Sequence, residues 1–331
     1  MSKKVMGFGE VMLRLSAPSH ERILQSKRFE ATFGGSECNV MVSLANMGMD
    51  TGFVTLLPHN ELTDAFSKEL KSFGVDTHHI YHKEGRFGVY YVEHGSDMRG
   101  TKVIYDRNFS SMALGEEGDI NWDGIFAETG RFHISGITFA ISQNLTDLAL
   151  SGIRKAYNSH IPISLDLNYR GKLWKYGKEP QEIMPTVAKM ANVIIGTAED
   201  YEKCLGIKGN TEEEILRKTK EIFSNAETLA IITVEDITSF IKGWKGSMLF
   251  RNKFFESEQR KIYDIADGIG GGDAFSAGLI YGIMNFGNEG SKIINYASVA
   301  GLMKYTFLGD YSLATAREIL SAMEKSGNID R

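Results

Sequence analysis

The sequence predicts an α/β fold: a mostly parallel central sheet with helices on both faces, carrying a small antiparallel β lid. Three observations lead there. Short apolar runs alternate with longer amphipathic stretches along most of the chain, the pattern of strands joined by crossover helices. Two segments, 12–33 and 86–109, break that alternation with a strand-like alternation of their own. With 331 residues the chain is long enough to bury one large core of this kind.

Taken in order, the first strand is expected at 5–8, and apolar runs at 52–57, 132–135, 161–167, 192–195 and 229–233 read the same way. Near-continuous apolarity over so short a length marks strands buried on both faces. Between them, apolar residues recur every three to four positions over 36–47, 62–73, 142–158, 212–223, 273–284 and 291–305, the spacing of a helix with one buried stripe. The exceptional segments alternate instead, as in Gly88-Val89-Tyr90-Tyr91-Val92-Glu93 and Val103-Ile104-Tyr105-Asp106-Arg107. Strands inserted at two points can pair with each other, so 12–33 and 86–109 are expected to form one lid on a single domain spanning 1–331. Its exposed edge and apolar face favour pairing with a second lid across a two-fold axis, and a homodimer or larger homo-oligomer is expected.

Composition excludes several function classes. A formal charge of -5 gives no attraction for nucleic acid. Cys38 and Cys204 are far apart and lack metal-ligand spacing, which suits a reducing cytoplasm better than a disulfide framework. After Lys3-Lys4 the apolar run Val5-Met6-Gly7-Phe8-Gly9 stops at Glu10, too short for a signal peptide, and no apolar span of about 18 residues occurs, so membrane insertion is not expected. The eight histidines form no metal-binding pattern, and His78-His79 read as a strand end.

The chemistry concentrates in Asp267-Gly268-Ile269-Gly270-Gly271-Gly272-Asp273 and the helix that follows. Glycines at a helix start leave backbone N–H groups bare where donors are unpaired and the dipole is positive, so this turn is an expected anion site. Asp273 at its mouth is placed to accept a proton from an attacking hydroxyl, or, more simply, to cap the helix.

Asp-x-x-Gly-x-Gly-Asp before a small, apolar helix resembles the C-terminal signature of the ribokinase-like (PfkB) carbohydrate kinases. Near the other end, Gly34-Gly35-Ser36-Glu37-Cys38-Asn39 resembles that family's Gly-Gly-x-x-x-Asn sugar-binding turn. The resemblance implies a ribokinase-like three-layer α/β/α fold, ATP as co-substrate with Mg²⁺, Asp273 as catalytic base, and Gly270, Gly271 and Gly272 as anion hole. Within the family, Val103-Ile104-Tyr105-Asp106-Arg107, Asp166-Leu167-Asn168-Tyr169-Arg170 and Leu308-Gly309-Asp310 are similar to segments of 2-keto-3-deoxygluconate kinases. That likeness implies a sugar acid contacted by Gly34, Gly35, Asn39, Tyr90, Tyr105, Arg107, Arg170, Asp273 and Asp310. On the nucleotide side it implies Asn168, Arg170, Thr233 and the three glycines.

Two segments depart from the family pattern. Its Asn-x-x-Glu motif stands here as Thr197-Ala198-Glu199-Asp200, where Thr197 and Asp200 keep an oxygen donor and a carboxylate for an indirect hold on hydrated Mg²⁺. The usual glycine-bearing nucleotide turn reads Thr233-Val234-Glu235-Asp236-Ile237-Thr238. Fructokinase, ribokinase, a related deoxy-sugar-acid kinase and a sugar-acid sensor without phosphoryl transfer are the alternatives. A Rossmann dehydrogenase fits poorly, since Gly7-x-Gly9 lacks the third glycine, and the chain has no P-loop.

Overall fold

Strand β1 (Lys4–Phe8) runs through the middle of the molecule because Val5, Met6 and Phe8 find apolar partners on both of its faces. The structure is a computed structural model and describes residues 3–96, 98–237 and 241–324. After β1 come β2 (Met12–Ser16), β3 (Glu30–Gly34), α1 (Ser36–Asn46), β4 (Thr51–Leu57), α2 (Glu61–Ser72), β5 (Ile80–His82), β6 (Gly88–Glu93) and β7 (Lys102–Asp106). The middle third holds α3 (Trp122–Glu128), β8 (Thr129–Ser135), α4 (Gly136–Phe139), α5 (Gln143–Asn158), β9 (Ile163–Asp166), α6 (Pro180–Ala188), β10 (Val193–Gly196) and α7 (Ala198–Leu205). The last third holds α8 (Glu212–Ile222), β11 (Thr228–Asp236), β12 (Lys242–Phe250), β13 (Lys253–Glu256), β14 (Arg260–Ile262), α9 (Gly271–Asn285), α10 (Gly290–Lys304) and α11 (Ala316–Glu324).

The main sheet has ten strands in the order β13-β12-β11-β10-β9-β8-β1-β4-β5, with β14 also on β12. Pairings from β11 through β5 are parallel, and the expected buried strands all fall in this region. Beyond β11 the edge turns antiparallel. Helices cover both faces: α3, α5, α6 and α7 pack on one side around Phe132, Leu165 and Ile194, while α1, α9 and α10 pack on the other around Phe53, Val299 and Phe275. Among the described residues no helix is long and apolar enough to cross a membrane.

The lid is a separate four-stranded sheet, β3-β2-β6-β7, built from the two expected insertions. Its outer pairs are antiparallel, but the central pair β2–β6 is parallel. Topology explains the difference: β2 follows β1 and β6 follows β5, and both leave the carboxyl ends of parallel strands in the same direction.

Helices α9 and α10 approach closely because Gly278 has no side chain. A Cβ there would lie 2.8 Å from Ala300 Cβ and 2.9 Å from Ala297 Cα. In an open helix Gly→Ala stabilises by about 1 kcal/mol, but overpacking costs about 1–3 kcal/mol. Gly278→Ala should therefore lower the urea midpoint; an unchanged or raised midpoint would mean that the helices separate freely.

Candidate active site

The carboxyl ends of the parallel strands, the start of α9 and the inner face of the lid enclose a cleft of about 410 Å³. Its wall joins Gly34, Gly35, Ser36 and Asn39 from one turn, Tyr90, Tyr105 and Arg107 from the lid, and Gly270 to Asp273 from the other end of the chain. Both glycine-bearing turns thus open onto one space.

Asp273 lies in the first turn of α9 and is 9% exposed. Its carboxylate accepts hydrogen bonds from Ser36 Oγ at 2.7 Å and Asn39 Nδ2 at 2.7 Å. Burial raises its pKa above the ordinary aspartate value, opposed by those two donors; Asp310 adds to the rise and Arg170 counters it. Its side chain does not cap its own helix. The cap residue is Gly270, at φ 90° and ψ 0°, and α9 has no side-chain cap bond. The first backbone bond of this turn runs from Ala274 N–H to Gly270 C=O at 2.9 Å, leaving the N–H groups of 271–273 to face an incoming anion.

Each glycine of the run has its own reason. A Cβ on Gly270 would lie 2.2 Å from the Asp310 carbonyl oxygen, whereas one on Gly272 would meet nothing within 4 Å. Gly271 is pressed against the Tyr305 ring. At the Gly34-Gly35 turn the space is taken by protein: a Cβ on Gly34 would lie 2.3 Å from Asp310 Oδ2 and 2.6 Å from the Tyr90 hydroxyl, and one on Gly35 would lie 2.2 Å from the Glu10 carbonyl oxygen. Those glycines admit neighbouring side chains and backbone, where the sequence suggested close approach by a ligand.

Other expected site residues are present with altered partners. Asn39 donates its amide N–H to Asp273 and accepts the Gly35 N–H, so it holds that carboxylate and the turn together. Asn168, at φ 36°, donates to Ser36 Oγ at 3.0 Å and so reaches Asp273 through that hydroxyl. Arg107, expected to meet a sugar acid, is 6% exposed and pairs with Glu10 Oε2 through Nε at 2.7 Å and through Nη2. Its Nη1 has no partner among the described residues. Arg170 is exposed at the mouth and donates to the Tyr169 carbonyl. The buried Tyr90 hydroxyl has no hydrogen-bond partner among the described residues, and the half-exposed Tyr105 ring lies 6.1 Å from the Tyr90 ring.

Thr197 and Asp200 also line the cleft, but they are spent on one another. Asp200 Oδ2 accepts Thr197 N–H at 2.6 Å and Thr197 Oγ1 at 2.7 Å, closing a capping box on α7, while Oδ1 accepts Tyr169 N–H at 2.9 Å. Asp166 lies beside them, its pKa pushed well up by burial and by the charges of Asp200 and Asp273. Among the described residues no three or more His, Cys, Asp or Glu side chains are grouped to hold a metal directly. Thr233 does not line the cleft; it is exposed, donates to Glu212 at 3.0 Å, and leaves Ile232 in the wall. Thr238 of the same turn lies outside the described residues.

Three residues that sequence reasoning passed over complete the surroundings. Glu10, read only as the end of an apolar run, is the partner of Arg107. Ser36 joins Asn168 to Asp273. Arg14, on β2, pairs with both Asp267 and Asp310 and is 1% exposed. Its signal was the inward phase of the alternation Met12-Leu13-Arg14-Leu15-Ser16, where only an arginine with partners can be buried.

Comparison with known proteins identifies the family. Residues 2–314 match the profile of the pfkB family carbohydrate kinases. The 2-dehydro-3-deoxygalactonokinase of Haloferax volcanii is 27% identical over 319 residues, 96% of each chain. The crystal structure of 2-dehydro-3-deoxygluconokinase from Thermotoga maritima superposes with a TM-score of 0.92 at 34% identity, covering 98% of this chain and 100% of that one. A fructokinase from Xylella fastidiosa with bound ATP shares the fold, with a TM-score of 0.81 at 19% identity over 98% of this chain and 99% of its own.

The glycine run predicts a contrast between neighbours. Gly270→Ala combines a left-handed backbone with a backbone collision, so it should cost about 1–3 kcal/mol or more and lower the melting midpoint. Gly272→Ala should keep the midpoint while weakening binding of a phosphate-bearing ligand, because its methyl group enters open cradle space. Equal midpoints for the two variants, or undiminished ligand affinity in Gly272→Ala, would contradict this reading.

Proposed function

Because the chain belongs to the pfkB family of carbohydrate kinases, we propose that it transfers the γ-phosphoryl group of ATP to the 6-hydroxyl of 2-keto-3-deoxygluconate. One observation carries the proposal: the buried Asp273 carboxylate, held by Ser36 and Asn39, shares a cleft with uncommitted helix-start N–H groups and with Arg107 and Arg170. The relatives named for 2-dehydro-3-deoxy sugar acids support the choice of substrate.

In this reading the sugar acid lies between the turn at Gly34-Gly35 and the lid. Arg107 Nη1 and Arg170 supply positive charge for its carboxylate, and the Tyr90 hydroxyl supplies a donor that now lacks a partner. Asp273 takes the proton of the attacking hydroxyl as the phosphoryl group arrives in line. The N–H groups of 271–273 stabilise charge on the transferred group because they are fixed before it arrives.

Mg²⁺, when bound, offsets the negative charge of the ATP phosphates. With Thr197 and Asp200 closed on each other, these residues and Asp166 would hold it through water and phosphate oxygens instead of ligating it as a cluster. The lid would exclude water over the sugar. Its exposed Ile104 and Phe109 suit a homodimer contact, and the two buried free cysteines suit a cytoplasmic protein.

Purified protein with ATP and Mg²⁺ should release ADP with 2-keto-3-deoxygluconate or its galacto epimer far faster than with fructose or ribose. Preference for a neutral sugar would overturn the substrate assignment, and binding without ADP release would favour the sensor. Asp273→Asn should lower kcat by about 10²–10⁴-fold with sugar-acid affinity kept. Since Asp273 works only when ionised and burial raises its pKa, activity should fall as pH drops through that raised value; an acid limb where an exposed carboxylate titrates would remove it as the base. Arg107→Lys can still pair with Glu10 but loses the fork, so KM for the acid should rise about tenfold, equivalent to about 1.4 kcal/mol, with kcat held; an unchanged KM rejects the contact.

A further inference from the structure

One buried arginine outside the cleft wall links the lid to both turns that form the site. Arg14 stands at the centre of β2 on the inward face of the lid. Its Nη1 donates to Asp310 Oδ1 at 2.6 Å, its Nη2 to Asp267 Oδ2 at 2.5 Å, and its Nε to Ser16 Oγ at 2.7 Å.

Each acid is itself fastened to the machinery. Asp267 opens the segment that leads into the glycine run; its Oδ1 accepts Ile269 N–H at 3.0 Å and its Oδ2 accepts Gly309 N–H at 3.2 Å. That carboxylate therefore ties the approach to the phosphate turn to the segment carrying Asp310. Asp310 is wedged between the two turns. Its Oδ2 occupies the space where a Gly34 Cβ would stand, and its carbonyl oxygen occupies the corresponding space at Gly270.

We infer that Arg14 is a positioning residue, whose guanidinium, by spanning Asp267 and Asp310, fixes the phosphate turn at 270–273 against the sugar turn at Gly34-Gly35 while the lid strand is seated. The inference rests on the kinase reading above. Charge balance alone does not explain the arrangement. Lys304, fully buried and donating to the carbonyls of Phe307 at 3.1 Å and Asp267 at 3.4 Å, already brings one cation to the cluster. A planar fork aims a separate nitrogen at each carboxylate and a third at Ser16 in fixed geometry, whereas an ammonium is a single point of charge with freely turning donors. Through this bridge a displacement of β2 is passed to both turns.

Arg14→Ala would leave two buried carboxylates short of a partner and is expected to fold poorly, so the deciding variant is Arg14→Lys, which keeps the charge but loses the fixed fork that holds the two carboxylates in place. With 2-keto-3-deoxygluconate, ATP and Mg²⁺, its kcat should fall at least tenfold while KM for the sugar acid stays within about threefold and circular dichroism shows a fully folded chain. Without substrate, amide exchange in a peptide covering 267–273 should speed up at least tenfold, with exchange in α5 unchanged. An unchanged kcat, a raised KM with kcat held, or a loss of activity proportional to loss of folded protein each overturns the inference. So does unchanged exchange over 267–273. Wild-type protein without turnover on any sugar acid would sink the kinase reading instead, and the exchange comparison would still decide the positioning claim.

Discussion

A carboxylate buried beside a helix N-terminus is the constraint around which this molecule is arranged. Asp273 has left water, and a lone buried charge is costly unless donors surround it. Ser36 and Asn39 provide them from the opposite end of the sequence, which forces α1 and α9 side by side on one face of the sheet. The same helix start leaves its own N–H groups unpaired. The buried carboxylate and the unpaired N–H groups are therefore one structural feature, and the parallel sheet serves to bring residues 34–39 and 270–273 to its carboxyl edge.

The charges around that feature are balanced locally. Arg107 meets Glu10, Arg14 meets Asp267 and Asp310, and Lys304 lies against backbone carbonyls nearby. Asp166 and Asp273, like Glu37, are acids whose burial outweighs their hydrogen bonds, and both are held above the ordinary carboxylate pKa. Both line the cleft, where an incoming cation or proton-donating hydroxyl would find them. Packing joins the two turns through one residue: Asp310 fills the space that Gly34 and Gly270 leave free.

Much of this was legible in the sequence because it depends on period and on glycine. The parallel strands were marked by unbroken apolar runs, the lid by alternation, and the turn at 270–273 by three glycines entering an apolar helix. The antiparallel edge was not legible: β12 contains Lys242, Gly243, Lys245 and Gly246, which dilute its apolar signal until β11 supplies a partner. Short helices such as α7 were missed because eight residues give too little period, although Thr197 and Asp200 make a capping box that could have marked its start. Most of the candidate residues, though not Thr233, line one cleft, but their partners could not be read from the sequence. Nothing in the local sequence says that Arg14 will reach residues 267 and 310, or that Glu10 will meet Arg107, since those pairings exist only once the sheet has brought distant segments together.

The most direct measurement is a crystal structure of the protein with 2-keto-3-deoxygluconate and a non-hydrolysable ATP analogue. The account predicts the sugar's primary hydroxyl within hydrogen-bond distance of the Asp273 carboxylate and the terminal phosphate against the N–H groups of 271–273. A sugar seated with that hydroxyl away from Asp273, or a terminal phosphate bound elsewhere, would contradict it.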